Sequence, residues 1–309
     1  MLHLVYRRTV HMCQCERRAP SRATLAFAIL TLAFGACTDD NASVGASADP
    51  EAEGLAIRLY TLDCGRIEIN DLALFDRGGA YDGRQASVAD PCFLIRHPRG
   101  DLLWDTGVAD ALAREPNGVA FDTNRFSMPR TLKGQLAELG LGAEDIEYVA
   151  LSHSHFDHVG NAGDYASATW LVDATEREFM FSEEARSNAQ TFPYYSALES
   201  ADTVTFTDDH DVFGDGAVLI VRTPGHTPGH SALLVRLTKS GSVLLSGDLY
   251  HLAEARTRRT IPVFNTDAEE TLRSMDKFES LAASIEARIV IQHEPEHFAA
   301  LPVPPAFLD

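Results

Sequence analysis

Apolar residues recur along this chain with two different periods, and the switches between them lay out its elements. Leu55-Ala56-Ile57-Arg58-Leu59-Tyr60 and Cys92-Phe93-Leu94-Ile95-Arg96 are β-rich runs that read as strands. Pro98-Arg99-Gly100 marks a turn, and Asp101-Leu102-Leu103-Trp104 the returning strand. Ile146 to Leu151, Thr169 to Val172, Ala217 to Arg222, Ala232 to Leu237, Ser242 to Leu245 and Arg288 to Ile291 are further strands. Helical spacing takes over from Arg130 to Leu139, where Leu132, Leu136 and Leu139 share one face and Gly140 ends the run. A second helix runs through Glu176 and Phe179. Thr266-Asp267-Ala268-Glu269 has the form of a capping box, which predicts a helix to about Glu286.

One segment echoes another. Arg99-Gly100-Asp101-Leu102-Leu103-Trp104-Asp105-Thr106-Gly107 resembles Ser240-Gly241-Ser242-Val243-Leu244-Leu245-Ser246-Gly247-Asp248. Each is a hairpin return strand that ends in an aspartate beside a glycine. Two similar β-rich halves with interspersed helices predict an α/β (α+β) architecture: two mixed sheets face to face, helices outside.

The first residues break this pattern. Arg7, Arg8, Arg17, Arg18 and Arg22 precede an apolar run from Ala23 to Ala36, short for a bilayer span and flanked like a secretory signal. The run closes on Phe34-Gly35-Ala36-Cys37, which resembles a bacterial lipoprotein cleavage box with Cys37 as the lipidated residue. Phe34 departs from that box, where Leu is usual, so ordinary cleavage or a retained anchor stays open. Met12 also begins a full signal layout. Residues 38–54 are rich in Ala, Asp, Ser and Gly and read as a flexible tether. The expected organisation is a signal over 1–37, a linker over 38–54 and one large domain over 55–309, exported and periplasmic or membrane-anchored.

Charge narrows the partners. The formal net charge is −19; residues 1–37 hold five Arg and one Glu, leaving 21 basic against 44 acidic residues, near −23. Such a surface repels nucleic acid. Cys64 and Cys92 are the cysteines outside the signal region. Export permits a disulfide between them, and two buried free thiols fit equally well.

The densest chemistry is Ser152-His153-Ser154-His155-Phe156-Asp157-His158, which sets three imidazoles and one carboxylate in six residues just after a buried strand. Imidazole nitrogen and carboxylate oxygen suit zinc or a similar divalent metal. Three further segments follow strands: Thr223-Pro224-Gly225-His226-Thr227-Pro228-Gly229-His230, Ser246-Gly247-Asp248 and Ile291-Gln292-His293-Glu294. Each puts a metal-capable group at a strand end, where a rigid scaffold can hold it.

In this order the residues resemble the metallo-β-lactamase fold superfamily over about residues 55 to 300, an αββα sandwich. They resemble most its N-acyl-homoserine lactonase (quorum-quenching) branch. Leu59-Tyr60-Thr61-Leu62-Asp63-Cys64-Gly65, Asp90-Pro91-Cys92-Phe93-Leu94-Ile95, Trp104-Asp105-Thr106-Gly107 and Ser152 to Asn161 carry that likeness. The resemblance implies that His153, His155 and His226 hold one metal, that Asp157, His158 and His293 hold the other, and that Asp248 bridges them. It implies two divalent ions, zinc foremost, with iron, manganese or cobalt as alternatives. The activity implied is opening of an acyl-homoserine lactone ring by a hydroxide held between the metals, with Asp157 passing a proton to the leaving group. In that branch a tyrosine three residues after the bridging aspartate often donates to the substrate carbonyl. Here that position is His251, and Tyr250 stands one residue earlier. Both are candidates, and Tyr250 could equally be a packed aromatic. Phe156 could line an acyl-chain groove or pack in the core, and Asp105 could orient a ligand or cap its own turn.

Other substrates fit the same implied centre: a different ester, lactone or thioester, as in glyoxalase II-like enzymes. The residues after His293 are Pro-rich and lack Lys and Arg, unlike the basic tail that binds glutathione in those enzymes. A β-lactamase or an iron oxidoreductase fits less well, given Asp248 and the seven candidate ligands. His230 reads as structural, His297 as a surface residue of a short helix, and His97 and His210 as exposed beside turns. Oligomeric state is open between monomer and homodimer.

Overall fold

The computed structural model describes residues 56–121 and 123–309. The signal segment 1–37 with Cys37, the tether 38–54 and Leu55 lie outside the described residues. In chain order the strands are β1 (Arg58–Ile69), β2 (Ala86–His97), β3 (Gly100–Trp104), β4 (Val119–Phe121), β5 (Asn124–Ser127), β6 (Tyr148–Ala150), β7 (Thr169–Asp173), β8 (Thr203–Phe206), β9 (His210–Asp211), β10 (Val218–Arg222), β11 (Ser231–Leu237), β12 (Gly241–Leu245) and β13 (Arg288–Val290). The helices are α1 (Leu132–Glu138), α2 (Phe156–Val159), α3 (Ala174–Met180), α4 (Glu183–Ser187), α5 (Phe192–Tyr195), α6 (Ala253–Arg258), α7 (Ala268–Ser284) and α8 (Pro295–Ala299).

The larger sheet has the order β4-β5-β1-β2-β3-β6-β7-β8, antiparallel from β4 to β3 and parallel from β3 to β8. The smaller has the order β13-β12-β11-β10-β9 and is antiparallel except for β12 with β13. Period-two alternation decides which face each side chain meets. Phe93, Ile95, Leu102 and Trp104 of the larger sheet interdigitate with Ile220, Leu233, Val235 and Leu245 of the smaller. Their neighbours Leu94 and Leu103 turn outward to Leu132 and Leu136 of α1. Leu234 and Leu244 turn outward to Met275 and Phe278 of α7. Each such fully buried Leu or Phe contributes roughly 1.5–3 kcal/mol. The layers are therefore helix, sheet, sheet, helix, as the sequence predicts.

Several local expectations change. The first strand begins at Arg58 and runs on to Ile69, because a register shift between Asp63 and Arg66 lets it keep pairing with β2. Ile146 closes a helical turn on Ala143, so β6 is only Tyr148–Ala150. The cap of α7 is Asp267, whose side chain accepts from Glu270 N; Thr266 instead donates Oγ1 to His226 O at 3.1 Å. That helix runs to Ser284 with Ile285 as its C-cap, close to the expected end at about Glu286. Cys64 and Cys92 form a disulfide joining β1 to β2 rather than two free thiols. Nor are His97 and His210 exposed: His97 stacks on Phe213 at 3.9 Å and His210 on Phe206 at 5.0 Å.

The pairing directions of β3, β6, β10, β12 and β13 bring their C-terminal ends to one edge of the sandwich. Every segment with candidate chemistry leaves from that edge.

Candidate metal centre

The loop after β6 carries His153 and His155 and then tightens into α2, which adds Asp157 and His158. Main-chain bonds fix it from two sides. Thr106 N donates to His158 O at 2.8 Å, and Ser231 N donates to Ser152 O at 2.9 Å. The Pro-Gly turn after β10 closes on itself, Thr223 N donating to His230 O and Gly225 N to Thr227 O, each at 2.9 Å, with His226 at its tip. Past β12, Gly247 has φ 51, and a Cβ there would stand 2.7 Å from His230 Nε2. Glycine is needed to bring Asp248 this close.

Two groups of side chains result. In the first, His153 Nε2, His155 Nδ1 and His226 Nε2 lie 2.9–3.2 Å from one another. In the second, His158 Nε2 and His293 Nε2 are 3.3 Å apart, with Asp157 Oδ2 at 3.8 Å from His293. Asp248 stands between them. Its Oδ2 lies 3.5 Å from His153 Nε2 and 3.4 Å from His226 Nε2; its Oδ1 lies 3.2 Å from His158 Nε2 and 3.0 Å from His293 Nε2. One oxygen faces each group.

The donor set fits a pair of cations. The outward nitrogens have partners that call for a proton: His226 Nδ1 faces Asn265 Oδ1 at 2.8 Å, His158 Nδ1 faces Asp105 Oδ2 at 3.0 Å, and His293 Nδ1 faces Ala89 O at 2.7 Å. With its one N–H spent outward, each of these imidazoles turns a lone pair inward when it is neutral. Asp248 Oδ1 is buried with no hydrogen-bond partner. Converging lone pairs and an unpaired carboxylate oxygen are costly unless a cation lies among them. The groups differ toward protons. Burial, reinforced by neighbouring imidazoles, holds His153 and His155 well below the usual histidine range. Burial also pulls on His158 and His293, but Asp248 outweighs it with help from Asp105 and Asp157 respectively. His158 is raised well above the usual range, and His293 to about 9.

Beside the two groups opens a cavity of about 280 Å³, with His155, Asp157, Asp248, His251 and His293 in its wall. The rest of the lining is mostly apolar, including Ile67, Leu72, Phe75, Val88, Phe126 and Phe156.

Residues 89–293 match the family described as the Metallo-beta-lactamase superfamily. The chain belongs to that superfamily. Among its relatives, an N-acyl homoserine lactonase AttM of Azorhizobium caulinodans is 30% identical, the match covering 82% of this chain and 99% of the relative. An N-acyl homoserine lactonase AttM of Agrobacterium fabrum is also 30% identical, with 81% and 98% covered. A solved N-acyl homoserine lactone hydrolase, with the product N-hexanoyl-L-homoserine bound at its catalytic metal center, shares the fold with a TM-score of 0.68 at 24% identity, covering 82% of this chain and 99% of that one.

Within this superfamily fold, the seven candidate ligands from four separate segments come together at one edge. Tyr250 does not join them. It is buried, and its hydroxyl donates to Glu279 Oε1 at 3.0 Å on the α7 side, so the expectation that it serves a substrate carbonyl is corrected. His251 faces the other way, with Nε2 3.1 Å from Asp248 Oδ2. Phe156 lines the cavity while packing edge-on to Phe126, so groove and core packing coincide. Asp105 accepts from Ser152 N at 2.6 Å besides facing His158. His230 is buried; its Nε2 accepts from Asp248 N at 2.9 Å. His297 is half-buried, and its Nδ1 accepts from Ile291 N at 2.9 Å.

Four residues near the centre had no role assigned from sequence. Ser152 Oγ contacts Nδ1 of both His153 and His158. Gln292 donates to Asp105 Oδ2 at 2.7 Å. Asn265 partners His226. Asp90 is buried, with Oδ2 accepting from Val108 N at 3.0 Å. Adjacency to a candidate ligand could have flagged Ser152 and Gln292; no sequence signal points to Asn265.

Proposed function

We propose that this chain is an N-acyl-homoserine lactonase, a metal-dependent hydrolase that opens the lactone ring of a quorum-sensing signal on a dinuclear centre. The observation that carries the reading is Asp248 facing two imidazole groups with one oxygen each, at the wall of an apolar cavity. The AttM relatives, 30% identical over four-fifths of the chain, support the substrate class.

His153, His155 and His226 would hold one ion, Asp157, His158 and His293 the other, and Asp248 both; the nitrogen and oxygen donors favour zinc. When bound, such a pair supplies Lewis-acid polarisation of a carbonyl and hydroxide at neutral pH. The protein's part is positional. Leu72, Phe75, Val88, Phe126 and Phe156 would take the acyl chain and exclude water from it. His251, in the cavity wall, is placed to donate to a carbonyl oxygen that gains charge. Asp157, also in the wall, is placed to hold the proton that the leaving alkoxide needs.

The test is ring opening of short- and long-chain acyl-homoserine lactones by the purified protein, beside a β-lactam and a glutathione thioester, with metal counted in the same sample. Lactone turnover with two metals per chain is expected. Turnover of the thioester alone, or a protein without transition metal, would overturn the reading. We also infer export, from the Arg-flanked apolar segment before Cys37. Fractionation of cells expressing the full chain and a Cys37→Ser variant should move the protein from membrane to soluble fractions if Cys37 is lipidated.

A further inference from the structure

Glu176 plays no part in the reading above, yet this carboxyl on α3 is 2% exposed. Its Oε2 accepts from Gly229 N at 2.9 Å, and the group faces Ser154 and Thr227. Gly229 and Thr227 belong to the turn that presents His226, and Ser154 lies between His153 and His155. The turn is pressed hard against α3: a Cβ on Gly229 would stand 2.4 Å from Glu176 N and 2.5 Å from Asp173 Oδ1. Asp173 in turn caps α3 and pairs with Arg222 at the end of β10. Burying a carboxyl is costly, and here Oε1 and Thr227 Oγ1 are left without a partner. An apolar residue would fill the space at less cost; what it could not do is accept from the Gly229 amide.

We propose that Glu176 is a positioning residue that holds the His226 turn against α3 and thereby sets the affinity of the three-imidazole group for its metal. The second group is held by other means: Asp105 on His158, Gln292 on Asp105, and the Ala89 carbonyl on His293. The effect should therefore fall on one metal of the two. The inference rests on the dinuclear reading above.

The experiment challenges the zinc-loaded protein with graded chelator and counts metal retained per chain, with circular dichroism reporting the fold. Wild type should release its ions at high chelator. Glu176→Ala should lose one ion at roughly 10- to 100-fold lower chelator, the cost of removing a group that orients ligands, and keep the other on the wild-type curve. Glu176→Gln, which still offers an oxygen to Gly229 N, should recover most of the difference. Combining Glu176→Ala with His226→Ala should add nothing to His226→Ala alone, because both act on one site. Two ions retained as in wild type, or both weakened alike, would overturn the proposal. If the alanine variant does not fold, Glu176→Asp decides on the same curve, since it keeps the carboxyl but falls a methylene short of Gly229. A wild type that holds fewer than two ions would instead bring down the dinuclear reading, before any variant is compared.

Discussion

The strands β3 and β12 end alike, and their aspartates face opposite sides of the imidazoles. Each strand returns from a hairpin, pairs antiparallel with the strand before it and parallel with a later one, and is followed by a buried aspartate. Asp105 follows Trp104 directly at φ 59 and meets His158 at Nδ1, behind the ring. Asp248 lies past Ser246 and Gly247 and meets Nε2 of His153, His158, His226 and His293, in front of the rings. Two residues of extra reach separate a carboxylate placed to orient a candidate ligand from one placed to be a ligand itself. Residue type and burial do not tell them apart; the side of the imidazole does.

The strongest way to break this comparison is Asp248→Ala. It removes the one acceptor shared by both groups, so metal should fall below two per chain. Lactone turnover should fall by about a thousandfold or more, on the order of 4 kcal/mol of transition-state stabilisation. Unchanged metal content and rate would show that Asp248 does not stand in front of the site as described.

Asp105→Asn should do less. The amide oxygen can still accept from Ser152 N, but the charge behind His158 is gone. Metal affinity should drop by about 10- to 100-fold in a chelator competition, with a smaller loss of kcat than for Asp248→Ala. Equal losses in the two variants would erase the distinction between them.

A pH series sharpens the contrast between the two groups. His293 is raised from 6.5 to about 9, chiefly because Asp248 outweighs its burial. Below about 9 a metal must displace that proton, so affinity at the second group should rise as pH climbs toward 9. The first group, where burial holds His153 and His155 neutral, should show no such rise. The linked stability has the opposite sense: in metal-stripped protein the raised His293 stabilises fully below 6.5, and that contribution is lost as pH passes through about 9. Titration calorimetry and thermal unfolding across that range read the two effects.

The smallest effect is expected of Tyr250→Phe. It deletes one hydrogen bond to Glu279, worth about 1 kcal/mol of stability, and should leave kcat/KM as it was. His251→Phe, measured beside it, should lower kcat. The reverse pattern would return the carbonyl contact to Tyr250.

Much of the fold was legible because strand faces follow a local rule. Alternation in Leu102-Leu103-Trp104 is enough to send the outer pair inward and Leu103 outward. The candidate ligands were legible for a related reason: each stands within a few residues of a strand end, and three imidazoles in six residues have few other uses. What was illegible lies further apart or turns on a single residue. Asn265 reaches His226 across 39 positions, and Gln292 reaches Asp105 across 187. Tyr250 and His251 are neighbours on one turn, yet they point to opposite sides of it. The cap of α7 moved from Thr266 to Asp267 because the His226 carbonyl claimed the threonine hydroxyl.

By itself, then, the sequence determined the order of the elements, the faces of the strands and the chemical types gathered near their ends. Those depend on backbone periodicity and on neighbours a few residues away. The tertiary structure alone decided which nitrogen of each histidine looks inward, which aspartate stands in front, and which carboxyl holds the His226 turn to a helix. Those depend on sub-ångström placement of segments that meet only after both sheets have packed.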